Sequence, residues 1–311
     1  MVDVDVGVAG QYTMGKRFYH ARHFAHSLKK RSPRRYARVA GPIRDGSLRI
    51  ASHSRPADPQ LAKYWRFRRN LFSLIDGGGI HMTHELWFSV TPEEIAAFLA
   101  RFVRACLPEA RVVLDVFCGG GGNTIQFAKL FPRVYGVDFS LEHLYCTAQN
   151  AAVYGVDDKV WLKYGRWEQL SRGGAFDAVS VDCIFASPPW GGPNYLNLEV
   201  YDLEQHLQPV GITSLLKSMF RLSKNVILFL PRNSDLKQLA RVTRELLGPE
   251  AKCKVLYVKV NAHLKGIAAI WGDALVNYES APEQPEATPA EESESHPSNR
   301  DIPASFYDID A

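Results

Sequence analysis

The sequence predicts an α/β fold built on a mostly parallel, doubly wound sheet, and three features of its middle section point to it. Short apolar runs alternate with amphipathic ones from about residue 91 to residue 271. One of the runs, Val112–Val116, feeds directly into four glycines, Gly119–Gly122. The next apolar run ends on a carboxylate, Asp138. Strands that alternate with helices form parallel sheets covered on both faces.

The elements follow in order. Thr91-Pro92-Glu93-Glu94 reads as a helix start, with Thr91 as cap, Pro92 in the first turn and Glu94 reaching back in a capping box. Ile95, Phe98, Leu99 and Phe102 then supply an apolar face at helical spacing. Strand Val112–Val116 precedes a helix at Thr124–Leu130, a strand at Val134–Val137 and a helix at Leu141–Val153. Further strands are expected at Val160–Lys163, Ala178–Ala186, Val226–Leu230, Val255–Val260 and Ile267–Trp271, and helices at Ile212–Phe220 and Asp235–Leu247. No helix separates the last two strands, so they are expected to pair antiparallel.

The two ends differ in charge. Residues 1–70 hold 16 Lys and Arg against 4 Asp and Glu, whereas residues 279–311 hold 9 acids against 1 base. The basic segment interleaves aromatics (Tyr19, Phe24, Tyr36, Tyr64, Trp65, Phe67) and suits a polyanion such as a nucleic acid. Residues 1–58 show no sustained apolar period and read as a mostly flexible arm; 279–311 reads as a disordered acidic tail. Lys29-Lys30-Arg31-Ser32-Pro33-Arg34-Arg35 has the composition of a nuclear import signal, a pattern of low specificity. The five cysteines have no C-x-x-C spacing, which argues against a disulfide framework or zinc site and for a reducing compartment. His20, His23 and His26 lack companion ligands and read as a solvated face. Met1–Gly10 lacks the basic start of a secretory signal, and no run of 18 apolar residues suggests a membrane span.

The glycine turn brings backbone close to a ligand. It does not fit G-x-G-x-x-G, because the last position is Thr124 or Ile125, which disfavours a dinucleotide-dependent oxidoreductase. Asp115 lies four residues before the first glycine, and Asp138 is placed to accept the two hydroxyls of a ribose. This is the pattern of class I methyltransferases, whose cofactor ends in an amino acid. After another expected strand comes Ser187-Pro188-Pro189-Trp190. Its prolines lack N–H groups and stiffen the chain, so nearby carbonyls can accept from an outside amine. Its indole offers a flat face for a base.

Ser-Pro-Pro-Trp resembles the motif of amino-methyltransferases acting on nucleic-acid bases. The longer string Ser187–Tyr195 is similar to the trimethylguanosine synthase family. So are Lys63-Tyr64-Trp65, Leu71-Phe72-Ser73, Trp87–Glu93, Phe117-Cys118-Gly119, Gly121–Ala128 and Phe229–Asn233, in order over roughly residues 60–273. The resemblance implies a class I methyltransferase fold with a seven-stranded sheet and an antiparallel last strand. A small helical extension (59–108) would precede a core at 109–278. It implies S-adenosylmethionine as methyl donor, S-adenosylhomocysteine as product and no metal. The acceptor would be N2 of a 7-methylguanosine cap on small nuclear or nucleolar RNA. Ribonucleoprotein proteins would be candidate partners of a monomer in the nucleus, with nucleolus and cytoplasm as other locations.

Position by position, the resemblance assigns Asp115, Gly119, Gly121, Asn123, Thr124 and Asp138 to the cofactor, with Phe72 and Thr91 closing over it. Ser187 and Pro188 would receive the guanine amine and Trp190 would stack on the base. Asn194 and Tyr195 would line the substrate site, and Lys63 and Arg232 would meet the cap phosphates. Arg66, Arg68 and Arg69 would add salt-sensitive attraction or form a solvated helix face. The chain departs from the pattern at Tyr164-Gly165-Arg166-Trp167, where many class I enzymes carry an acid for the adenine amine, and along Phe139–Gln149. Two other readings stay open: an amino-methyltransferase for adenine N6 or internal guanine N2, and a catalytically idle cap- or RNA-binding module.

Overall fold

The computed structural model describes residues 18–50, 58–260 and 262–279. A short strand, β1 (Tyr19–His20), starts the described chain and is followed by helices α1 (Phe24–Arg31), α2 (Pro33–Ala37) and α3 (Ala40–Asp45). Helices α4 (Ala62–Arg66) and α5 (Leu86–Ser89) lead to α6 (Glu93–Cys106). The core then alternates: β2 (Val112–Val116), α7 (Gly122–Leu130), β3 (Arg133–Asp138), α8 (Leu141–Val153), β4 (Val160–Tyr164), α9 (Trp167–Arg172) and β5 (Cys183–Ala186). It closes with α10 (Ile212–Phe220), β6 (Val226–Leu230), α11 (Leu236–Leu247), β7 (Lys254–Val260), β8 (His263–Trp271) and α12 (Asp273–Val276).

The sheet has eight strands in the order β1-β4-β3-β2-β5-β6-β8-β7. Strands β2 to β6 pair in parallel, and β8 is antiparallel to both β6 and β7. The expected seven strands are there; β1 adds the eighth, with Tyr19 and His20 antiparallel to Leu162 and Trp161 of β4. Two apolar layers sandwich the sheet. One contains Phe127, Leu144 and Phe185, and the other Leu114, Leu216 and Leu228.

Residues 18–50 correct the reading of a mostly flexible arm. Only Tyr19, Ala21, Phe24, Leu28, Val39 and Leu48 are its buried apolar anchors, too few and too irregularly spaced to show a period. The segment instead docks through β1 and through Arg22, whose guanidinium sits 2.9 Å from Asp157. The positions 1–17, 51–57 and 280–311 lie outside the described residues, and with them the acidic tail. Among the described residues no helix is long and apolar enough to cross a membrane.

The capping box expected at Thr91 does not form. Pro92 is the N-cap of α6 and no side chain caps it, because the Thr91 hydroxyl accepts from Asn123 instead. Helix α6 buries Ile95, Leu99 and Val103, while Phe98 is exposed. By contrast α8 begins as a good cap requires: the Ser140 hydroxyl accepts from the His143 N–H at 3.2 Å. The strand expected at Ala178–Ala186 is shorter, Cys183–Ala186; ahead of it the chain turns, with the Val179 N–H donating to the Phe176 carbonyl.

Candidate active site

The strand order places a crevice at the carboxyl edge of β2. Its neighbours on the two sides, β3 and β5, connect in opposite directions across the sheet, and ligands of open α/β sheets bind outside such a switch point. Val116 pairs with Val137 on one side and Ala186 on the other. The next residues on the three strands are therefore Phe117, Asp138 and Ser187. The register alone brings the glycine turn, the ribose-type carboxylate and the Ser-Pro-Pro-Trp segment to one edge.

The turn is conformationally demanding. Phe117 holds φ of 66°, unusual for a residue with a side chain and frequent where backbone is shaped for function. Gly121 holds φ of 89°, and a Cβ there would sit 3.1 Å from Thr147 Cγ2. The missing side chains at Gly120 and Gly122 serve the protein as well as any ligand: a Cβ at each would meet Leu86 or Val90 at 3.1 Å. The segment before α6 is thus seated directly on the turn.

Two carboxylates flank it. Asp138 is buried; its Oδ2 accepts from the Gly119 N–H at 3.0 Å and its Oδ1 from the Ser140 N–H at 2.7 Å. Asp115 is fully buried beneath the turn, with Oδ2 accepting from the Thr124 hydroxyl at 2.5 Å. Burial pushes its pKa up to about 7; the Thr124 hydroxyl pulls it back and the charge of Asp138 adds to the rise. Asp115 Oδ1 and Asn123 Oδ1 are buried without a hydrogen-bond partner among the described residues. Such orphaned acceptors call for a donor from outside. They suit an ammonium group, while the positive end of the α7 dipole beside them suits a carboxylate. The residues present thus fit a nucleoside joined to an amino acid.

The extension fastens itself here through three side-chain clusters. The Asn123 amide donates to Thr91 Oγ1 at 2.9 Å. Glu93 accepts from the Ser73 N–H at 2.6 Å and from the Tyr154 O–H at 2.7 Å. The buried His143 ring lies 3.4 Å from Asp138 and 3.7 Å from Glu85, with Thr83 Oγ1 3.3 Å away. Burial opposes protonation of His143, but the Asp138 hydrogen bond and charge, with Glu85 behind, hold its pKa above the ordinary value. Phe72 is buried and packs toward Tyr154, with ring centroids 6.3 Å apart.

On the other side, Trp190 is held half-buried by its surroundings. Its indole N–H donates to the Phe229 carbonyl at 3.3 Å, and Tyr195 stands edge-on at 5.2 Å. The Tyr201 hydroxyl donates to the Trp190 carbonyl at 3.2 Å, and the Gln208 N–H to that of Pro189 at 3.3 Å. Ser187 is half-buried and Pro188 buried just past the end of β5. Tyr195 is buried and supports the indole. The side chain of Asn194 lies outside what the structure describes. Asn233, the end of the family-like string Phe229–Asn233 and given no role there, ties the segment down by donating to the carbonyls of Tyr195 and Leu198 at 3.1 and 2.7 Å.

Lys63 is exposed on α4 and Arg232 half-buried just after β6. Arg68 and Arg69 both pair with Asp76, and Arg68 also lies 4.4 Å over Trp65. Asp76 offsets only one of these two charges, and the Arg69 side chain stays 73% exposed. Phe139 was missed: it follows Asp138 and is 48% exposed, with the Arg166 guanidinium 5.5 Å from its ring. An aromatic just after the acid at the end of β3 was the available signal. Two concavities of about 470 and 410 Å³ lie elsewhere, one lined by Cys106, Asp182 and Asn225, the other by Trp167, Arg172 and Lys217. Neither contains the turn, Asp138 or the Ser187–Trp190 segment; the site is an open crevice defined by its chemistry. Among the described residues no group of three or more His, Cys, Asp or Glu is placed to hold a metal.

Residues 110–274 match the family model of RNA cap guanine-N2 methyltransferases. The chain belongs to that family. It is 57% identical over 269 residues to the trimethylguanosine synthase of Saccharomyces cerevisiae, covering 86% of this chain and 85% of the relative. It is 38% identical over 186 residues to that of Schizosaccharomyces pombe, covering 60% and 76% of the two chains. A methyltransferase structure from Porphyromonas gingivalis superposes with a TM-score of 0.54 at 13% identity over 71% of this chain and 52% of its own, a likeness of fold. This member of the cap guanine-N2 methyltransferases is an S-adenosylmethionine-dependent enzyme acting on the cap of RNA.

Proposed function

We propose that the chain transfers methyl groups to the exocyclic N2 of a 7-methylguanosine cap, and that the product is the trimethylguanosine for which its two named relatives are called. One observation carries the site assignment: the register that sets Asp138 and Ser187 on either side of the glycine turn. In this reading Asp138 holds the ribose, and Phe139 with Arg166 flanks the adenine in place of the acid other class I enzymes use. Asp115 and Asn123 face the amino-acid end through their orphaned oxygens. Thr91 and Phe72 act by holding the extension over the turn. Lys63 and Arg232 meet the cap phosphates.

The bound cofactor would supply a sulfonium methyl, an electrophile that needs no further activation. The guanine N2 is a weak nucleophile because its lone pair is delocalised into the ring. What the chain contributes is alignment and exclusion of water, which supplies roughly 7–11 kcal/mol of barrier reduction in well-oriented reactions. The Ser187 and Pro188 carbonyls accept the N2 hydrogens and enrich the nitrogen; as the N–CH3 bond formed the S–CH3 bond would break, and the methylated amine would shed its extra proton to solvent, not to these carbonyls. The indole of Trp190 prefers the cationic 7-methylated ring by roughly 0.5–2 kcal/mol. That range is up to about thirtyfold in affinity, so other contacts must supply any stronger discrimination.

The test is transfer from labelled S-adenosylmethionine to 7-methylguanosine cap dinucleotide, with product masses. Cap dinucleotide should gain two methyl groups, while GTP and uncapped adenine-containing RNA gain none. Transfer to internal RNA bases with no transfer to the cap would overturn the reading. Nuclear small RNAs are the substrate class we infer, with the protein acting in the nucleus.

A further inference from the structure

The active site does not account for the segment that begins the described chain. Between residues 18 and 50 there are nine Lys and Arg and one acid, Asp45. Lys29, Lys30, Arg31 and Arg34 are exposed on α1, α2 and the turn between them, and no ion pair is recorded for them among the described residues. They are carried on a folded support, because Phe24 and Leu28 of the same helix are buried and β1 is hydrogen-bonded to β4. Aromatics of the segment serve as anchors: Tyr19 and Phe24 are buried and cannot stack on a base.

The position of this face matters. Arg35 lies 5.0 Å over the Tyr164 ring, and the Arg38 guanidinium donates to the Tyr164 hydroxyl at 3.2 Å. Tyr164 ends β4 and pairs in register with Asp138. The cationic face therefore begins one strand from the cofactor crevice, at the same edge of the sheet. Burial pushes the nearby Lys163 ammonium down to about 8, and the Arg35 charge adds a smaller part.

We infer that residues 18–50 form a binding surface for the phosphodiester chain of the RNA body that follows the cap, with Lys29, Lys30, Arg31 and Arg34 as its phosphate contacts. This rests on the reading of the chain as a cap methyltransferase and extends it from the cap to the rest of the substrate. The cap pocket lies at the β5–β6 side of the crevice and the cationic face beyond β4, so a cap dinucleotide ends before it and a longer RNA does not. A folded, densely cationic face with exposed charges and little acid suits a polyanion without sequence preference. Holding the cations on helices spares the ordering cost that a flexible arm meets on binding.

The experiment compares the full chain with the variant K29Q/K30Q/R31Q/R34Q, whose substitutions remove charge from exposed positions. Transfer is measured to cap dinucleotide and to a capped single-stranded RNA long enough to cross the crevice, over a salt series. RNA binding without cofactor is measured in parallel, so the surface is read even if transfer fails. The unsubstituted chain should show a lower KM for the long RNA. The variant should raise that KM by about tenfold or more at low salt and keep its kcat/KM on the dinucleotide. Its salt slope for RNA binding should fall by roughly 0.7 for each cation removed, about 3 for all four. An unchanged KM and slope would overturn the proposal, and so would equal losses on both substrates, which would mean the segment is structural. Unchanged RNA binding with lost affinity for a polyglutamate probe would assign the face to an acidic protein and overturn it as well.

Discussion

The side-chain amide of Asn123 donates to Thr91 Oγ1 across 2.9 Å, joining the first turn of α7 to the residue before the N-cap of α6. Both side chains are buried. The bond links the element that carries the glycine turn to the extension seated on it. Thr91→Val keeps the shape and removes the acceptor, which leaves a buried amide N–H without its partner. The expected cost is about 1–3 kcal/mol of stability. Because the seat of Leu86 and Val90 on the turn loosens, cofactor affinity should fall more than that of a variant equally destabilised elsewhere, for example in α11. Thermal melting and titration calorimetry on both variants check this; equal affinities would mean that the contact is structural only.

Glu93 shows the same coupling from another side. Burial opposes its ionisation, but the Ser73 N–H, the Tyr154 hydroxyl and Lys129 together hold its pKa below the ordinary carboxylate value. A lowered folded pKa stabilises the fold above the unfolded value of 4.5 and loses that contribution as pH falls through the folded value. Tyr154→Phe should therefore destabilise the protein near neutral pH by about 1 kcal/mol, and the difference should shrink as Glu93 is protonated. Chemical unfolding at neutral and acid pH reads the difference; a gap that widens in acid would contradict the assignment.

Much of the site was legible because it is local in sequence. Gly119–Gly122 and Ser187–Trp190 follow strands and Asp138 ends one, and a parallel sheet brings strand ends to one edge whatever the loops do. Helix α8 was legible to the residue because Ser140 caps it. What escaped was long-range. Thr91 looked like a cap, and only the packing of α6 on α7 shows its hydroxyl turned toward Asn123. Asp76 is seven residues from Arg69, in a stretch with no period, so its pairing with Arg68 and Arg69 left no pattern to read. Residues 18–50 hide for a related reason: α1 buries only Phe24 and Leu28, α2 and α3 bury no side chain, and a sheet edge supplies the rest of the anchor.

His143 gives a pH dependence of opposite sign to that of Glu93. Its folded pKa is raised, so its contact with Asp138 and Glu85 is fully formed below the unfolded value of 6.5 and fades as pH rises through the folded value. The KM for S-adenosylmethionine should rise over that upper window, because Asp138 and the extension lose the charge between them. His143→Gln should give a raised KM with a flat profile in the same range. A variant that keeps the native pH dependence would place its source elsewhere.

Asp115 should trade stability for binding. With a pKa near 7 it is neutral in the empty protein at pH 5 and charged, buried and half-satisfied at pH 8. Since the folded state binds the extra proton, this group lowers stability progressively as pH rises from about 4 to about 7. Asp115→Asn removes the charge and keeps an acceptor for Thr124. Without cofactor it should melt at a higher temperature than the unsubstituted chain at pH 8 and at a similar temperature at pH 5. Its affinity for S-adenosylmethionine should fall at pH 8, because the anion facing the ammonium is gone. A lower melting point at pH 8 would show that the carboxylate is satisfied by a partner within the fold.

Trp190 is where stacking and packing must be separated. The ring is half-buried against Phe229 and Tyr195, so Trp190→Ala leaves a void and costs stability, up to about 3 kcal/mol given its partial exposure. Lost transfer by that variant alone would not distinguish a stacking face from a support. Trp190→Phe keeps an aromatic against Phe229 and Tyr195 and gives up the N–H bond to the Phe229 carbonyl, a loss of about 1 kcal/mol. It should retain cofactor affinity and measurable transfer, with KM for the cap raised and the preference for 7-methylated over unmethylated guanine reduced, since a benzene ring attracts a cation less than an indole does. Trp190→Leu should bind cofactor and lose that preference entirely. If Trp190→Leu kept the preference at an unchanged KM for the cap, the indole would be a wall of the core, and the base would have to be read by another face of the crevice.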